Sequence, residues 1–293
     1  MPDLVIETRE LKKSYKDVVA VNGINLSVER GSIYGFLGRN GSGKTTTIKM
    51  LVGLAFPTSG EARVFGLRPD DRKEGMRIRE RIGFVSEERG LFDHVKVGQM
   101  IEFTRAFYPK WDRALEERLL ARFELPLKKA IKTLSKGMRA KLALLLALPR
   151  GAELLIFDEP TDGLDPEMAE ETLQTIVSLA AANGATVFFS SHRLNEVEQI
   201  ADHVCILDRG RVVIEGALDD LKMNYRRVHA VFGGAAFTRG MPAKLEGRVL
   251  SVLTNGRTDE LVDRAYALNA VSVDVTPVTL KEIFLECREE RTK

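Results

Sequence analysis

The segment Gly38-Arg39-Asn40-Gly41-Ser42-Gly43-Lys44-Thr45 has a composition and spacing suited to binding a phosphate chain. It fits the pattern G-x-x-x-x-G-K-[ST], in which the backbone N–H groups of a glycine-rich turn surround phosphate oxygens. Lys44 would then reach the β- and γ-phosphates, and the Thr45 hydroxyl would ligate Mg²⁺. The alternative is a glycine-rich turn that binds nothing.

The segments on either side of this loop favour phosphate binding over that alternative. Ser32–Leu37 has strand character, and Thr46–Leu51 has apolar residues at helical spacing. A strand, a glycine loop and a helix are the context that the pattern requires, and the helix adds the positive end of its dipole. The predicted nucleotide contacts of this region are Gly38, Arg39, Asn40, Gly41, Ser42, Gly43, Lys44, Thr45 and Thr46.

Two carboxylates follow an apolar strand further along the chain. Leu154–Phe157 leads directly into Asp158 and Glu159. A buried parallel strand brings its last side chains to the carboxyl edge of the sheet, where ligands bind in open α/β folds. Asp158 would hold Mg²⁺ through water, and Glu159 would act as the general base for the attacking water. Carboxylates at strand ends can also be ordinary loop residues.

Glu87 and His192 also lie just past predicted strands. Glu87 follows Ile82–Val85 and His192 follows Thr186–Ser190. Glu87 would approach a metal ion or position a water molecule, although a carboxylate in a surface loop is usually only solvated. His192 is suited to contact a γ-phosphate, although a lone histidine is usually structural.

Two further segments carry residues with a possible ligand role. Ser135, within Leu134–Met138, is a natural N-cap for the apolar helix that follows, and Gly137 would let an external group approach the N–H donors of the first turn. Simple capping is the alternative. Tyr15 lies in the loop-like stretch Lys13–Asp17, where an exposed aromatic ring could stack on adenine or simply pack.

The composition excludes several classes of protein. The 293 residues include 44 Lys and Arg against 42 Asp and Glu, so no basic field indicates nucleic-acid binding. No segment has the roughly 18 apolar residues that a membrane-spanning helix needs. The first residues lack the pattern of a signal peptide, so a cytosolic location is expected. Cys205 and Cys287 fit neither a disulfide framework nor a metal site.

The order of these motifs resembles that of the ATP-binding subunit of ABC transporters, over about residues 4 to 220. Leu134–Met138 is similar to the signature motif of that family, which is usually Leu-Ser-Gly-Gly-Gln. The resemblance implies ATP and Mg²⁺ as ligands, adenine stacking by Tyr15, Glu159 as catalytic base and His192 as the γ-phosphate switch residue. It further implies that Ser135 and Gly137 close on the ATP of a second subunit, with Asp165 in a loop that crosses the dimer interface.

Two positions depart from the family pattern. Glu87 stands where the family usually has Gln, so it would add negative charge beside the metal. Lys136 and Met138 replace the first Gly and the Gln of the signature motif. The phosphate-facing atoms of that motif are mainly a hydroxyl and backbone N–H groups, so closure of the dimer should survive.

The resemblance implies a P-loop α/β core with an antiparallel β portion and a helical subdomain at about residues 97–149, followed by a small α+β domain. The expected domains are residues 1–221 and 222–293. The stretch Val275–Leu285 resembles the C-terminal extension of bacterial ABC-2-type exporter ATPases.

The expected function is ATP hydrolysis by two such subunits that drive separate integral membrane permease subunits. The protein would lie peripherally on the inner face of the cell membrane. One alternative is a non-transport ABC-type ATPase that acts on ribosome or DNA. The other is a nucleotide-dependent regulatory subunit with weak hydrolysis, as Glu87 and the altered signature motif would suggest.

Overall fold

A computed structural model describes residues 3–88, 90–233, 244–246 and 248–290. The chain divides into two compact units, Met1–Val212 and Val213–Lys293. The strands and helices of the first unit are β1 (Leu4–Tyr15), β2 (Val18–Glu29), β3 (Ile33–Gly38), α1 (Lys44–Leu51), β4 (Ser59–Val64), α2 (Arg72–Arg81), β5 (Ile82–Val85), α3 (Val97–Arg105), α4 (Arg113–Phe123), α5 (Lys136–Ala147), β6 (Leu154–Asp158), α6 (Pro166–Asn183), β7 (Thr186–Ser191), α7 (Leu194–Ile200) and β8 (His203–Asp208).

The remaining elements begin with β9 (Arg211–Ala217), which spans the boundary between the units. Those of the second unit are α8 (Leu218–Asn224), β10 (Tyr225–Phe232), β11 (Lys244–Glu246), β12 (Val249–Asn255), α9 (Thr258–Ala267), β13 (Ala270–Pro277) and α10 (Leu280–Glu290). The domain boundary predicted from the sequence follows Leu221, which lies inside α8, whereas the two compact units divide after Val212.

A sheet in which β5, β6, β7, β3 and β8 pair in parallel carries the elements on which the predicted site depends. Its strand order is β5-β6-β7-β3-β8-β9, and β3 pairs in parallel with β7 and β8. Every residue of β6 and β7 is buried, which explains the apolar runs 154–157 and 187–189 within them. The Tyr34 ring stacks on Phe188 at a centroid distance of 5.5 Å, which fixes β3 against β7. The carboxyl ends of β3, β6 and β7 therefore meet at one edge.

A second sheet is antiparallel, with the order β2-β1-β4. Its long hairpin reverses at Lys16 and Asp17, and Lys16 has a φ of 49°. Tyr15 pairs with Val18 as the last residue of β1. The prediction that Tyr15 lies in a loop is therefore wrong, because the short turn lets strand pairing continue to the hairpin tip.

The helical subdomain of the fold prediction is confirmed by α3, α4 and α5. The buried carboxylate of Glu116 joins its helices, because Arg105 Nη1 and Trp111 Nε1 both donate hydrogen bonds to it. Trp111 is the single tryptophan of the chain. Within the described ranges, no helix is both long and apolar enough to span a membrane.

The second unit has the α+β character that the sequence predicts. Its sheet is antiparallel, with the order β11-β12-β10-β13. A capping box starts α10, because the Thr279 N–H donates to Glu282 Oε2 at 2.9 Å and the Glu282 N–H donates to Thr279 Oγ1 at 3.3 Å. Between β12 and β13 the chain forms helix α9. Ala265 is the buried residue of α9, and Leu261 and Leu268 recur with it at helical spacing.

Candidate active site

The glycine-rich loop connects the end of β3 to the start of α1. Gly41 and Gly43 have φ angles of 80° and 109°, which non-glycine residues seldom adopt. A Cβ atom at Gly43 would lie 2.4 Å from the Ala20 carbonyl oxygen, whereas one at Gly41 would have no atom within 4 Å. The backbone thus packs closely at Gly43 and leaves open space at Gly41, as a loop that receives a ligand requires.

Lys44 lies at the base of this loop, and its side chain is only 5% exposed. Its ammonium donates to the Gly38 carbonyl oxygen at 2.7 Å and lies 3.0 Å from Glu159 Oε1. Among the described residues, Glu159 Oε1 and the buried Ser42 Oγ have no partner with hydrogen-bond geometry. Buried polar atoms normally find partners, so these two atoms and the ammonium fit a phosphate chain with its metal ion and water.

Asp158 lies beside Thr45 at the end of β6. Its carboxylate accepts hydrogen bonds from Ser190 Oγ, at 2.7 Å, and from the Thr45 side chain. Burial raises the pKa of Asp158, while these two hydrogen bonds oppose the shift. Mg²⁺ prefers oxygen ligands and usually binds one or two carboxylates together with substrate phosphates, so this pair fits the predicted metal position.

Glu159 contacts the predicted switch residue as well as Lys44. His192 Nδ1 lies 2.9 Å from Glu159 Oε2. Glu159 has a φ of 49°, an unusual value for a residue with a side chain, and its N–H donates to Ser190 Oγ at 2.9 Å. The structure therefore brings the predicted base, the predicted γ-phosphate contact and the phosphate-loop lysine together.

A cleft of about 460 Å³ opens above these groups. Its lining includes nine of the predicted site residues, namely Asn40, Gly41, Gly43, Lys44, Thr45, Thr46, Glu87, Glu159 and His192. Gly38, Ser42 and Asp158 lie outside this lining. Gly38 accepts a hydrogen bond from Lys44, Asp158 accepts one from Thr45, and Ser42 lies against Gly38. Arg39 lies on the exposed part of the loop, and its carbonyl oxygen is 3.4 Å from Lys44 Nζ.

Two valines that the sequence did not single out also line the cleft. Val18 and Val19 begin β2 and are 65% and 52% exposed. Tyr15 lies outside the described lining but pairs with Val18, and the Lys13 ammonium lies 4.9 Å from the centre of its ring. In a sequence, isolated valines in a strand usually indicate packing in the core. The position of Val18 and Val19 beside the cleft becomes evident only from the course of the hairpin formed by β1 and β2.

Ser135, Gly137 and Asp165 lie near one another and outside the described lining of the cleft. Ser135 Oγ accepts the Met138 N–H at 3.2 Å, and Asp165 Oδ1 accepts the Met168 N–H at 3.0 Å, so both residues cap helices. A Cβ atom at Gly137 would lie 2.1 Å from the Met168 methyl group. The starts of α5 and α6 are therefore packed together in the single chain.

Glu87 lies among three other carboxylates. Loss of water around the carboxyl group is the main cause that raises the pKa of Glu87, followed by the charges of Asp158, Glu159 and Asp162, while Lys44 opposes the shift. The folded protein thus holds a proton on Glu87 to a higher pH than the unfolded chain does. Glu87 contributes most to stability at low pH, and that contribution is lost as the pH rises through its folded pKa.

Glu87→Gln should therefore raise the melting temperature of the nucleotide-free protein near neutral pH, because it removes one charge from the cluster. The gain should shrink as the pH falls toward 4.5, the ordinary pKa of a glutamate. Thermal unfolding of the metal-free protein between about pH 4 and about pH 8 measures this difference. Both glutamates are exposed but Glu87 lines the cleft and Glu88 is outside its described lining, so Glu88→Gln is the control, and an equal gain in both variants would contradict the role of the cluster.

Comparisons with known proteins show which sequences this chain resembles. Residues 21–162 match the family model described as "ABC transporter". The chain is 39% identical to the bacitracin transport ATP-binding protein BcrA of Bacillus licheniformis over 225 residues, which are 76% of this chain and 73% of BcrA. It is 33% identical to the daunorubicin resistance ATP-binding protein DrrA3 of Streptomyces coeruleorubidus, over 97% of this chain and 96% of DrrA3.

A solved structure provides an independent comparison of the fold. The dimeric structure of MJ0796, a bacterial ABC transporter cassette, superposes with a TM-score of 0.66 and 25% sequence identity. The match covers 73% of this chain and 98% of that cassette. The similarity to DrrA3, in contrast, extends through the second unit.

Proposed function

The chain belongs to the ABC transporter family as an ATP-hydrolysing, ATP-binding subunit, and from this premise we propose that it works in pairs to power an exporter whose membrane-spanning subunits are separate chains. The observation that carries this proposal is the contact of Glu159 with both Lys44 and His192 at the edge of the phosphate loop. Relatives named for bacitracin and for daunorubicin have similar ATPase chains, so we assign the choice of cargo to the membrane subunits.

The reaction follows from the positions of these side chains. Lys44 exchanges its contact with Glu159 for the β- and γ-phosphates of ATP, which frees the carboxylate. Glu159 then accepts a proton from the attacking water, and His192 holds Glu159 and the γ-phosphate in line. Thr45 and Asp158 would hold Mg²⁺, which would neutralise charge on the phosphate oxygens.

A second copy would complete each site. Ser135 and Gly137 lie outside the described lining of the cleft in their own chain, yet they begin a helix whose first N–H groups suit an anion. We assign these donors to the ATP of the partner subunit, with Asp165 in the contact between the two copies. The dimeric structure of the similar cassette MJ0796 supports the pairing of two copies.

The helical subdomain offers an apolar surface for the membrane partner. Phe92, Phe103 and Phe107 are each more than half exposed and touch edge to face, with ring centroids 6.3 and 5.1 Å apart. Exposed clusters of large apolar side chains commonly mark protein contacts. We place the permease contact here, close in sequence to Glu87, so that closure of the ATP site is transmitted to the membrane subunit.

Cell fractionation tests this placement. The protein should sediment with membranes when its permease is co-expressed. Phe103→Ser should lower the membrane-bound fraction by about tenfold, since interface aromatics often dominate binding. ATP hydrolysis by the isolated subunit should be retained in this variant. Tyr266→Ser, at an exposed aromatic residue of the second unit, is the matched control. Co-sedimentation with ribosomes or nucleoid would favour the non-transport alternative.

A further inference from the structure

A buried carboxylate lies behind the catalytic residues. Glu196, in α7, is only 5% exposed. Its Oε2 atom accepts hydrogen bonds from Thr161 Oγ1 at 2.9 Å and from Ser191 Oγ at 2.7 Å, and its Oε1 atom accepts one from Arg193 Nη1 at 3.1 Å. Burial of a charged group is unfavourable unless it is paired and hydrogen-bonded, and this carboxylate meets both conditions.

Both hydroxyl groups that Glu196 holds belong to segments that carry catalytic residues. Thr161 lies two residues after Glu159, and Ser191 directly precedes His192. The other end of the Glu159 turn is also fixed, because the Glu159 N–H donates to Ser190 Oγ. The end of β7 and the start of α7 therefore hold the turn of residues 159–161 at both of its ends.

The conformation of Glu159 explains why such support is needed. Its φ of 49° is disfavoured for a residue with a Cβ atom and persists only where the surroundings enforce it. The close approach of α7 to the sheet depends on Gly35, because a Cβ atom there would lie 2.4 Å from Val197 Cγ1. Val197 is the neighbour of Glu196, so this contact sets the depth at which the carboxylate lies.

From these contacts we propose that Glu196 is a positioning residue for ATP hydrolysis, which acts through Thr161 and Ser191 to keep Glu159 and His192 in contact. This inference rests on the proposed role of Glu159 as the base. Glu196 is expected to affect the chemical step rather than ATP binding, since it is absent from the described lining of the cleft.

Glu116 provides a matched structural control. It is also a buried carboxylate, 7% exposed, that accepts hydrogen bonds from an arginine and a second donor. It lies in the helical subdomain, and the contacts described for it, with Arg105 and Trp111, involve no residue of the cleft lining. Glu116→Gln should lower the melting temperature, whereas the kcat of the folded protein should stay within about twofold of wild type.

The test compares Glu196→Gln with Glu116→Gln by steady-state ATPase kinetics, ATP binding and thermal unfolding. Glu196→Gln keeps the size of the side chain but gives up one acceptor. Its kcat should fall roughly 10- to 100-fold, because small losses of alignment are costly to catalysis, while the KM for ATP changes less than about twofold. A wild-type kcat, or a loss of kcat equal to that in Glu116→Gln, would overturn the inference.

A double-mutant cycle identifies the route of the effect. Thr161→Val removes one hydroxyl that Glu196 holds, so Thr161→Val combined with Glu196→Gln should be no slower than Glu196→Gln alone. Additive losses of kcat would show that Glu196 does not act through Thr161 and would overturn the inference. If Glu196→Gln fails to fold, Thr161→Val alone decides: a lowered kcat with an unchanged KM is expected, and a wild-type kcat refutes the proposal.

A parallel measurement on Glu159→Gln separates this inference from the proposed function. If Glu159→Gln retains turnover, the assignment of Glu159 as base fails and the inference falls with it. If Glu159→Gln stops hydrolysis while Glu196→Gln turns over like the wild type, only the positioning role of Glu196 is refuted.

Discussion

Glu159→Gln should lower ATP turnover by about 10²- to 10⁴-fold, the usual contribution of a positioned general base, and leave ATP bound. Glutamine has the same shape but cannot accept the proton of the attacking water. The substitution also removes the carboxylate that holds the Lys44 ammonium at 3.0 Å, so ATP no longer has to displace it. The affinity for ATP should therefore equal or exceed that of the wild type, as equilibrium binding would measure.

The same variant tests the composite site between two copies. Because ATP persists in it, light scattering should show a monomer without nucleotide and a dimer with Mg-ATP. A protein that binds ATP yet stays monomeric would contradict closure of isolated subunits through Ser135 and Gly137. Unchanged hydrolysis would remove Glu159 as the base.

Lys44→Ala should weaken ATP binding by about 100-fold or more, and hydrolysis should be lost with it. The ammonium is buried, so it meets the phosphates where water screens charge poorly. Its removal also leaves the buried Glu159 carboxylate without its lysine partner, which should lower the melting temperature as well. Calorimetric or fluorescent-nucleotide titration measures the loss of affinity.

The control for this variant is Lys49→Ala, at an exposed lysine of the same helix. It removes the same charge from α1 without touching the cleft, so its ATP affinity should stay within about twofold of wild type. Tight ATP binding by Lys44→Ala would refute the role assigned to the phosphate loop.

Much of the candidate site was predictable because it lies in short, contiguous patterns. The spacing from Gly38 to Thr45 defines a loop by itself, and the apolar run before Asp158 indicates a buried strand with a polar end. Parallel strands bring such ends to one edge of a sheet, so the meeting of Glu159 with His192 follows from topology. The fold class was predictable for the same reason.

The rest depends on contacts between residues that are distant in the sequence. Nothing around Glu196 indicates that its carboxylate meets Thr161, which lies 35 positions away. Val18 and Val19 line the cleft only because the hairpin of β1 and β2 continues to Tyr15. Helix α9, by contrast, could have been predicted, because Leu261, Ala265 and Leu268 recur at helical spacing in the sequence.

The position of Trp111 gives the protein a built-in optical reporter. As the single tryptophan of the chain, it is the source of all intrinsic indole emission. It lies between α3 and α4, where its ring is 6.5 Å from that of Tyr108 and its N–H donates to Glu116. Selective excitation of this indole in the unlabelled protein therefore reads out the helical subdomain alone, which makes the kinetics of its response to ATP accessible by stopped flow.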